Sequence, residues 1–218
     1  MFLDIFDPKI TIRDLEVYYD LKPTSGWNMR TRRRELFRKG ETFSRRNIVS
    51  YAYRPFDIRF TYYCEFLRRP HLAFMNNLRQ ENLSLLCMRE VLIESGFSHI
   101  FVIDLISDRR MFLSNRGAPY FFPLYLYPDE NEAQLFTNKA LKAQRIPNFT
   151  SEFLQTIKGS LGLEPTPEEI FYYIYAVLFS SIYRKRYEEF LKIDFPRIPL
   201  PPNVEVFKKL SNFGKKLT

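Results

Sequence analysis

Residues 166–179, Thr-Pro-Glu-Glu-Ile-Phe-Tyr-Tyr-Ile-Tyr-Ala-Val-Leu-Phe, decide how the C-terminal part of this chain folds. Thr166 and Glu169 have the spacing of a capping box at a helix start, and Pro167 suits the first helical turn. From Ile170 to Phe179 the segment is apolar on every side, which is typical of a helix buried in a core. The sequence therefore predicts a buried helix at the centre of a helical region.

Helical periodicity continues on both sides of this segment. An amphipathic helix closed by Gly162 precedes it, and a helix from Ile182 to Leu191 follows it. The second of these is predicted to carry i,i+4 ion pairs, Arg184–Glu188 and Lys185–Glu189. A last helix, from Val204 to Lys216, is predicted to bury one side, made of Phe207, Leu210, Phe213 and Leu217.

The N-terminal two-thirds of the chain follow a different pattern. A helix is predicted from Trp27 to Lys39, with Gly40 as its stop. Period-2 or continuous apolar runs then predict strands at Asn47–Tyr53, Asp57–Tyr63, Leu83–Met88, Ile100–Ile106 and Tyr120–Tyr127. Ile100–Ile106 is apolar enough to be buried on both faces, and Pro123 favours an edge or a bulge.

These patterns together predict the α+β class: a mixed, mostly antiparallel sheet with a helical C-terminal third packed on it. We expect three parts. Residues 1–26 form a lead-in segment that is irregular apart from one amphipathic stretch around Ile10–Leu21, residues 27–148 a strand-rich recognition part, and residues 149–218 a helical part.

Composition excludes several classes of protein. The chain has 218 residues, 45% of them hydrophobic, which is enough for a core, and no apolar run approaches the ~18 residues of a membrane span. The start of the chain lacks the features of a signal peptide, and two cysteines cannot form a disulfide scaffold or a four-ligand zinc site. We therefore expect a cytoplasmic protein with free thiols at Cys64 and Cys87.

Positive charge is concentrated near the N-terminus. The formal net charge is +8, and residues 1–75 hold 15 Lys and Arg against 9 Asp and Glu. Eight bases lie between residues 30 and 46: Arg30, Arg32, Arg33, Arg34, Arg38, Lys39, Arg45 and Arg46. A run of this kind is often only a solvated helix face. Its richness in Arg and the neighbouring aromatics Trp27, Phe37, Phe43, Tyr51 and Tyr53 favour a surface that binds nucleic acid.

No catalytic constellation stands out. A Gly-rich phosphate loop and a Cys/His metal cluster are both missing from the sequence, and His71 and His99 have no nucleophile at motif spacing. A metal-dependent nuclease set of Asp57, Asp104 and Asp108 is an alternative without motif support. We expect no catalytic residue and no metal in this chain.

Several segments of the sequence, quoted below, resemble segments of the C-terminal specificity domain of type ISP restriction-modification enzymes. The resemblance runs from about residue 27 to the C-terminus. The segments are Tyr-Arg-Pro-Phe-Asp-Ile-Arg (53–59), Tyr62-Tyr63, Arg69-Pro70, Ser-Asn-Arg-Gly (114–117), Tyr-Phe-Phe-Pro-Leu-Tyr-Leu-Tyr-Pro (120–128), Pro-Asn-Phe-Thr (147–150), Phe-Tyr-Tyr-Ile-Tyr-Ala-Val-Leu (171–178), Tyr183-Arg184, Tyr187, Phe190-Leu191 and Asp-Phe-Pro-Arg-Ile-Pro-Leu-Pro (194–201).

This resemblance implies a target-recognition domain for sequence-specific double-stranded DNA. In such enzymes other domains perform ATP-dependent restriction and adenine methylation, with S-adenosylmethionine, ATP and Mg as their cofactors. The Gly motif and the Asn-Pro-Pro-aromatic motif of the methyltransferase part are missing here. We therefore expect a non-catalytic fragment without a cofactor of its own, whose helical part docks on the methyltransferase domain of the parent polypeptide.

Thirteen basic residues are candidate DNA contacts. They are the eight bases between residues 30 and 46, together with Arg54, Arg59, Arg68, Arg69 and Arg116 at predicted loops or strand ends. Two alternatives stay open. Arg54 and Asp57 are spaced to form an ion pair that stabilises a turn, and the basic face as a whole suits docking on an acidic surface of the same polypeptide without any DNA contact.

Overall fold

A computed structural model describes residues 1–22, 28–64, 72–91, 97–108, 110–112, 118–127 and 145–218, with the side chains of residues 72 and 73 excepted. Helices and small, mainly antiparallel sheets are both present, which confirms the α+β class. The chain divides into two compact units. Unit 1 comprises Met1–Tyr51 and Ile58–Met75, and unit 2 comprises Ala52–Asp57 and Asn76–Thr218.

Unit 1 begins with two helices, of which the second lies in the amphipathic stretch around Ile10–Leu21 and the first was not expected. They are α1 (Phe2–Phe6) and α2 (Ile12–Tyr18), which precede α3 (Met29–Arg38). A capping box starts α2, because Thr11 and Asp14 satisfy each other's backbone N–H groups. Ile5, Leu15 and Met29 form a shared core, so residues 1–22 are an integral layer of unit 1.

Two strands follow a 3₁₀ turn at Arg45–Asn47 in the sequence. They are β1 (Ile48–Arg54) and β2 (Asp57–Tyr62), close to the predicted bounds, and they are neighbours in a three-stranded sheet. Their turn-proximal ends belong to unit 2. After the undescribed stretch, α4 (Leu72–Met75) is followed by a 3₁₀ turn to Arg79.

The central sheet of unit 2 is antiparallel in the order β4-β3-β6. It consists of β3 (Ser84–Cys87), β4 (Ile100–Ile103) and β6 (Tyr120–Pro123), and all of β3 is buried. The predicted strand Ile100–Ile106 is broken, because the chain bends after Ile103 and continues as β5 (Ile106–Ser107) beside β1. The expectation that it is buried on both faces is also wrong, since Phe101 and Val102 are half-buried.

The predicted strand Tyr120–Tyr127 is also divided. Pro123 ends β6 on the outer side of the described sheet, in agreement with the expected edge position. The next residue, Leu124, donates its N–H to the carbonyl of Leu83 at 2.8 Å, and β7 (Tyr125–Leu126) then pairs with β8 (Ile146–Pro147).

The C-terminal helices agree with most of the sequence signals. They are α5 (Ser151–Leu161), α6 (Pro167–Phe179), α7 (Ser181–Arg186), α8 (Glu188–Leu191) and α9 (Val204–Leu217). Gly162 ends α5 with φ +67°, and the capping box of Thr166 and Glu169 starts α6. Ile170 and Leu178, near the two ends of α6, are fully or almost fully buried, whereas Phe179, which the sequence also placed in the buried helix, is 45% exposed.

Two details of the predicted helix Ile182–Leu191 are wrong. The stretch Ile182–Leu191 breaks at Tyr187, and the Arg184–Glu188 and Lys185–Glu189 pairs are not formed among these described residues. Lys192 instead pairs with Glu189 at 2.6 Å, and Arg184 donates to the carbonyl of Leu178 at 2.7 Å.

In α9 the buried side is made of Phe207, Ser211 and Gly214, whereas the predicted core residues Phe213 and Leu217 are exposed. Small residues are required there because α9 lies close to α6. A Cβ on Gly214 would overlap the backbone of Tyr172, and Ser211 donates to the carbonyl of Glu169 at 2.8 Å.

Sheet and helices of unit 2 share one core. Leu85 and Cys87 on β3 belong to the same buried cluster as Ile170 and Tyr173 on α6 and Phe207 on α9. The central sheet and the C-terminal helices therefore belong to one compact unit. In the part of the chain that the structure describes, no helix is long and apolar enough to cross a membrane.

Candidate nucleic-acid interface

Helix α3 carries most of the predicted basic run, and its ends are set by local sequence. The side chain of Asn28 accepts a hydrogen bond from the N–H of Thr31 at 3.2 Å, which caps the start of the helix. Gly40, with φ +68°, follows the C-cap Lys39, as predicted for a glycine stop. Arg38 lies in the last turn, where its positive charge interacts favourably with the negative end of the helix dipole.

The inner side of α3 includes an arginine. Arg33 is only 4% exposed and lies on the same side as Met29 and Leu36. Its Nε donates to the carbonyl of Ile5 at 2.8 Å, its Nη1 donates to the carbonyl of Ile10 at 2.7 Å, and its Nη2 donates to the carbonyl of Asp7. Burial lowers the pKa of this guanidinium from its ordinary value.

Arg33 was predicted as a DNA contact, and the structure corrects that assignment. All three of its nitrogens are occupied by backbone carbonyls of residues 5–10, so the side chain anchors the N-terminal segment to α3. A guanidinium suits this task because its planar fork presents donors in several fixed directions at once.

The outer side of α3 carries three exposed arginines, Arg30, Arg34 and Arg38, which we call the arginine stripe. Successive members of the stripe are four residues apart, which is slightly more than one helical turn. Each is therefore displaced from the one before it by ~6 Å along the helix axis and by ~40° around it. The structure records no ion pair for these three side chains among the described residues. They form a row of cations that is available to a polyanion.

Arg32 differs from the stripe because it has a carboxylate partner. Its Nη1 lies 2.9 Å from Oε2 of Glu35, and both side chains are partly exposed. Lys39, Arg45 and Arg46 are exposed in and after the last turn of the helix. They extend the basic surface beyond the arginine stripe.

The segment that carries Arg45 and Arg46 is held in place by an aromatic cluster. The hydroxyl of Tyr62 accepts a hydrogen bond from the N–H of Ser44 at 2.8 Å, and the rings of Phe6, Phe43 and Tyr62 lie 5.1–5.8 Å apart. Phe43 is one of the aromatics beside the basic run that favoured a nucleic-acid surface. The structure places its ring against Tyr62, which is 4% exposed.

Arg54 and Arg59 lie on the strand pair β1–β2. Arg59 is exposed on β2. Arg54 pairs with Asp108 at 3.5 Å, and its guanidinium lies 4.0 Å from the ring centre of Tyr53. Arg54 therefore forms an ion pair, as one of the alternatives suggested, but the partner in the structure is Asp108 and the sequence had suggested Asp57.

Three candidates, Arg68, Arg69 and Arg116, lie outside the described residues, as does Trp27. Within the described chain, no three His, Cys, Asp or Glu side chains lie close enough together to hold a metal ion. Asp57, Asp104 and Asp108 therefore do not assemble into a metal-dependent nuclease site.

Burial shifts the pKa of two further reactive side chains, those of Cys87 and His99. Cys87 is buried, and burial raises the pKa of its thiol to about 12. Burial also lowers the pKa of His99, whose ring meets Phe112 edge-on at 5.8 Å. Cys64 and Cys87 form no disulfide, in agreement with the sequence, and Cys64 is half-buried.

Sequence reasoning missed one exposed residue, Phe56, in the turn between β1 and β2. Its side chain is 91% exposed, and its φ is +65°. The sequence does hold a signal for the turn, because a proline at position 55 favours the second position of a β-turn. Nothing local, however, indicates that the following aromatic side chain stays outside the core.

The family model for the Type ISP C-terminal specificity domain matches residues 9–218. A comparison with curated proteins found no match.

Solved structures include several with a similar fold. A cryo-electron microscopy structure of a DrdV–DNA complex has a TM-score of 0.67 and 22% identity, and covers 99% of this chain and 19% of that chain. The ATP-dependent Type ISP restriction-modification enzyme LlaBIII bound to DNA has a TM-score of 0.64 and 22% identity, covering 90% and 12%.

A nuclease-deletion mutant of the Type ISP enzyme LlaGI, in complex with a DNA substrate mimic, has a TM-score of 0.57 and 24% identity, covering 99% and 17%. At these identities the similarity shows a shared fold. The present chain spans less than a fifth of the length of each of the three matched chains.

Proposed function

This chain belongs to the family of Type ISP C-terminal specificity domains, and from that premise we propose that it recognises a specific sequence of double-stranded DNA. In this proposal it serves as the target-recognition domain of a larger restriction-modification enzyme. The parent enzyme is then a site-specific adenine methyltransferase with ATP-dependent restriction activity.

The arginine stripe is the observation that carries this proposal. Its members are exposed on one side of α3, while Met29, Arg33 and Leu36 fix the other side to unit 1. From Arg30 to Arg38 the helix rises by ~12 Å, comparable with the ~12 Å width of the major groove. Arginine forks match phosphate oxygens bidentately, and the helix that carries them is already held in place from behind, so its backbone needs no reordering on binding.

Phosphate contacts set affinity and register, whereas contacts to base edges set sequence. We assign the phosphate contacts to the arginine stripe, with Lys39, Arg45 and Arg46 as further contributors. Arg59, beside the exposed turn of the strand pair, is a candidate for base contact. Arg68, Arg69 and Arg116 stay predicted contacts.

Chemistry is left to other parts of the parent polypeptide in this proposal. S-adenosylmethionine, ATP and Mg are used there, and the helices of unit 2 dock on the methyltransferase domain. The exposed apolar residues Phe179, Ile182, Phe190 and Ile193, close together in sequence, support a docking role for that region.

The test compares two variants with equal loss of charge. One replaces the arginine stripe, as Arg30→Gln, Arg34→Gln and Arg38→Gln. The other replaces three exposed lysines of α9, as Lys208→Gln, Lys215→Gln and Lys216→Gln. Arg33 is left intact, because its removal would confuse loss of folding with loss of binding.

Duplex binding is measured for both variants at several salt concentrations. Each phosphate contact contributes about −0.9 to the slope of log K against log salt, so loss of the stripe reduces the slope by up to ~2.7. We expect the lysine variant to keep the wild-type slope. If the two variants reduced the salt slope equally, the arginine stripe would not be a specific contact site, and the loss of binding would reflect only the lower net charge.

The docking alternative is separated by a second measurement. The methyltransferase part is added without DNA, and amide exchange is followed along α3. Protection of α3 that persists unchanged when duplex DNA is added contradicts the proposed DNA contact and favours docking on an acidic protein surface.

A further inference from the structure

The turn between β1 and β2 places an aromatic residue in an unusual backbone conformation. Phe56 follows Pro55 and has φ +65°. Proline followed by a residue with positive φ matches a type II turn, whose third position favours glycine or asparagine. A bulky side chain there is strained, because its Cβ crowds the backbone in the left-handed region.

The side chain of Phe56 gains little burial in return for this strain. It is 91% exposed, and the one ring that it meets among the described residues is that of Phe101, with ring centres 5.6 Å apart and planes at 86°. Glycine at this position would relieve the backbone and lose almost no buried area. The folding of the domain therefore gives no reason for a phenylalanine here, and strained residues of this kind are often functional.

The base of the turn is held firmly. Arg54 donates to the carbonyl of Tyr53 at 2.5 Å and pairs with Asp108, whose own N–H donates to the carbonyl of Ala52 at 3.2 Å. These contacts lie within unit 2 and fix the strand from which Phe56 projects. An exposed ring on a fixed turn loses little conformational freedom when it binds.

We propose that Phe56 is a wedge that unstacks a base step of the bound duplex. This inference rests on the proposed function and adds a residue that acts on the DNA stack. Phenylalanine is among the apolar side chains that enter between base steps and kink DNA. The chain as a whole has a formal charge of +8, which suits a polyanion more than a neutral protein surface.

The experiment uses the whole 218-residue chain. A randomised duplex library is first selected against the wild-type protein to obtain a preferred sequence. 2-Aminopurine is then placed at each position of that duplex in turn, because its fluorescence rises when the base is unstacked. We expect one position to brighten on binding of the wild type.

Phe56→Ala is expected to abolish this signal and to weaken binding about 5- to 150-fold, the range for loss of one base–aromatic stack. Phe56→Gly removes the strain as well, so it should unfold at a higher temperature than Phe56→Ala and still lack the signal. Phe60→Ala is the matched control, because Phe60 is 71% exposed on a regular strand. It should keep the wild-type signal.

The outcomes separate the wedge from the proposed function. If the library yields a preferred duplex but Phe56→Ala binds and brightens like the wild type, the wedge is wrong and DNA recognition stands. A loss of affinity without any change in 2-aminopurine fluorescence also overturns the wedge. If no duplex is preferred, sequence-specific recognition and the wedge both fail.

Discussion

Replacement of Arg33 should destabilise unit 1 far more than replacement of its neighbours on the helix. Arg33→Ala removes the donors of three carbonyls, those of Ile5, Asp7 and Ile10, in a side chain that is 4% exposed. A charged hydrogen bond contributes about 1.5–3 kcal/mol when buried. Water reaches some of these carbonyls after the substitution, so we take about 1 kcal/mol for each and expect a loss of about 3 kcal/mol.

Two further variants make the reasoning specific. Arg34→Ala removes an exposed arginine from the same helix and should change the free energy of unfolding by no more than about 0.5 kcal/mol. Arg33→Lys keeps the charge but has no planar fork, so it cannot reach three carbonyls and should lose most of the stability that Arg33→Ala loses.

The assay is urea unfolding followed by circular dichroism, together with amide exchange of residues 1–22. We expect a lower midpoint for Arg33→Ala, and faster exchange in the N-terminal segment because its anchor is gone. A midpoint equal to that of Arg34→Ala would refute the anchoring role, and so would full stability of Arg33→Lys, which would show that charge alone suffices.

Further variants and conditions test the packing of unit 2. Gly214→Ala should lower the free energy of unfolding by about 1–3 kcal/mol, because the new Cβ overlaps the backbone of α6. Gly159→Ala places its Cβ in open space and should stabilise α5 by up to about 1 kcal/mol. Urea unfolding of both variants should therefore show a lower midpoint for the first and a higher midpoint for the second. Burial raises the pKa of the Cys87 thiol from 9.0 to about 12. At pH 8 this thiol should therefore react with a thiol reagent about a thousandfold more slowly than an ordinary thiol. Mass spectrometry should show that half-buried Cys64 is labelled first. Burial also raises the pKa of Tyr183 from 10.0 to about 12, so the folded state favours the neutral forms of both groups. Their contribution to stability is complete below about pH 9 and is lost as the pH rises towards 12; a thermal midpoint that stays constant from pH 9 to 12 would contradict this.

Local sequence was sufficient where the physical cause is local. The capping box of Thr166 and Glu169 and the glycine stops at Gly40 and Gly162 involve groups within four residues of each other. Those helix ends were therefore predictable, and so was the concentration of charge around α3.

Only the tertiary structure decided the role of each arginine. Arg33 and Arg34 are adjacent in the sequence, yet one is buried among carbonyls that lie 23 to 28 residues away and the other is exposed. The same holds for Gly214, which is buried because α9 lies against α6, and for the break between β4 and β5. The amino-acid sequence by itself determined the α+β class, the helix ends and the positive charge. Which cations are structural and which can meet a polyanion depends on partners distant along the chain, and a local pattern contains no information about such partners.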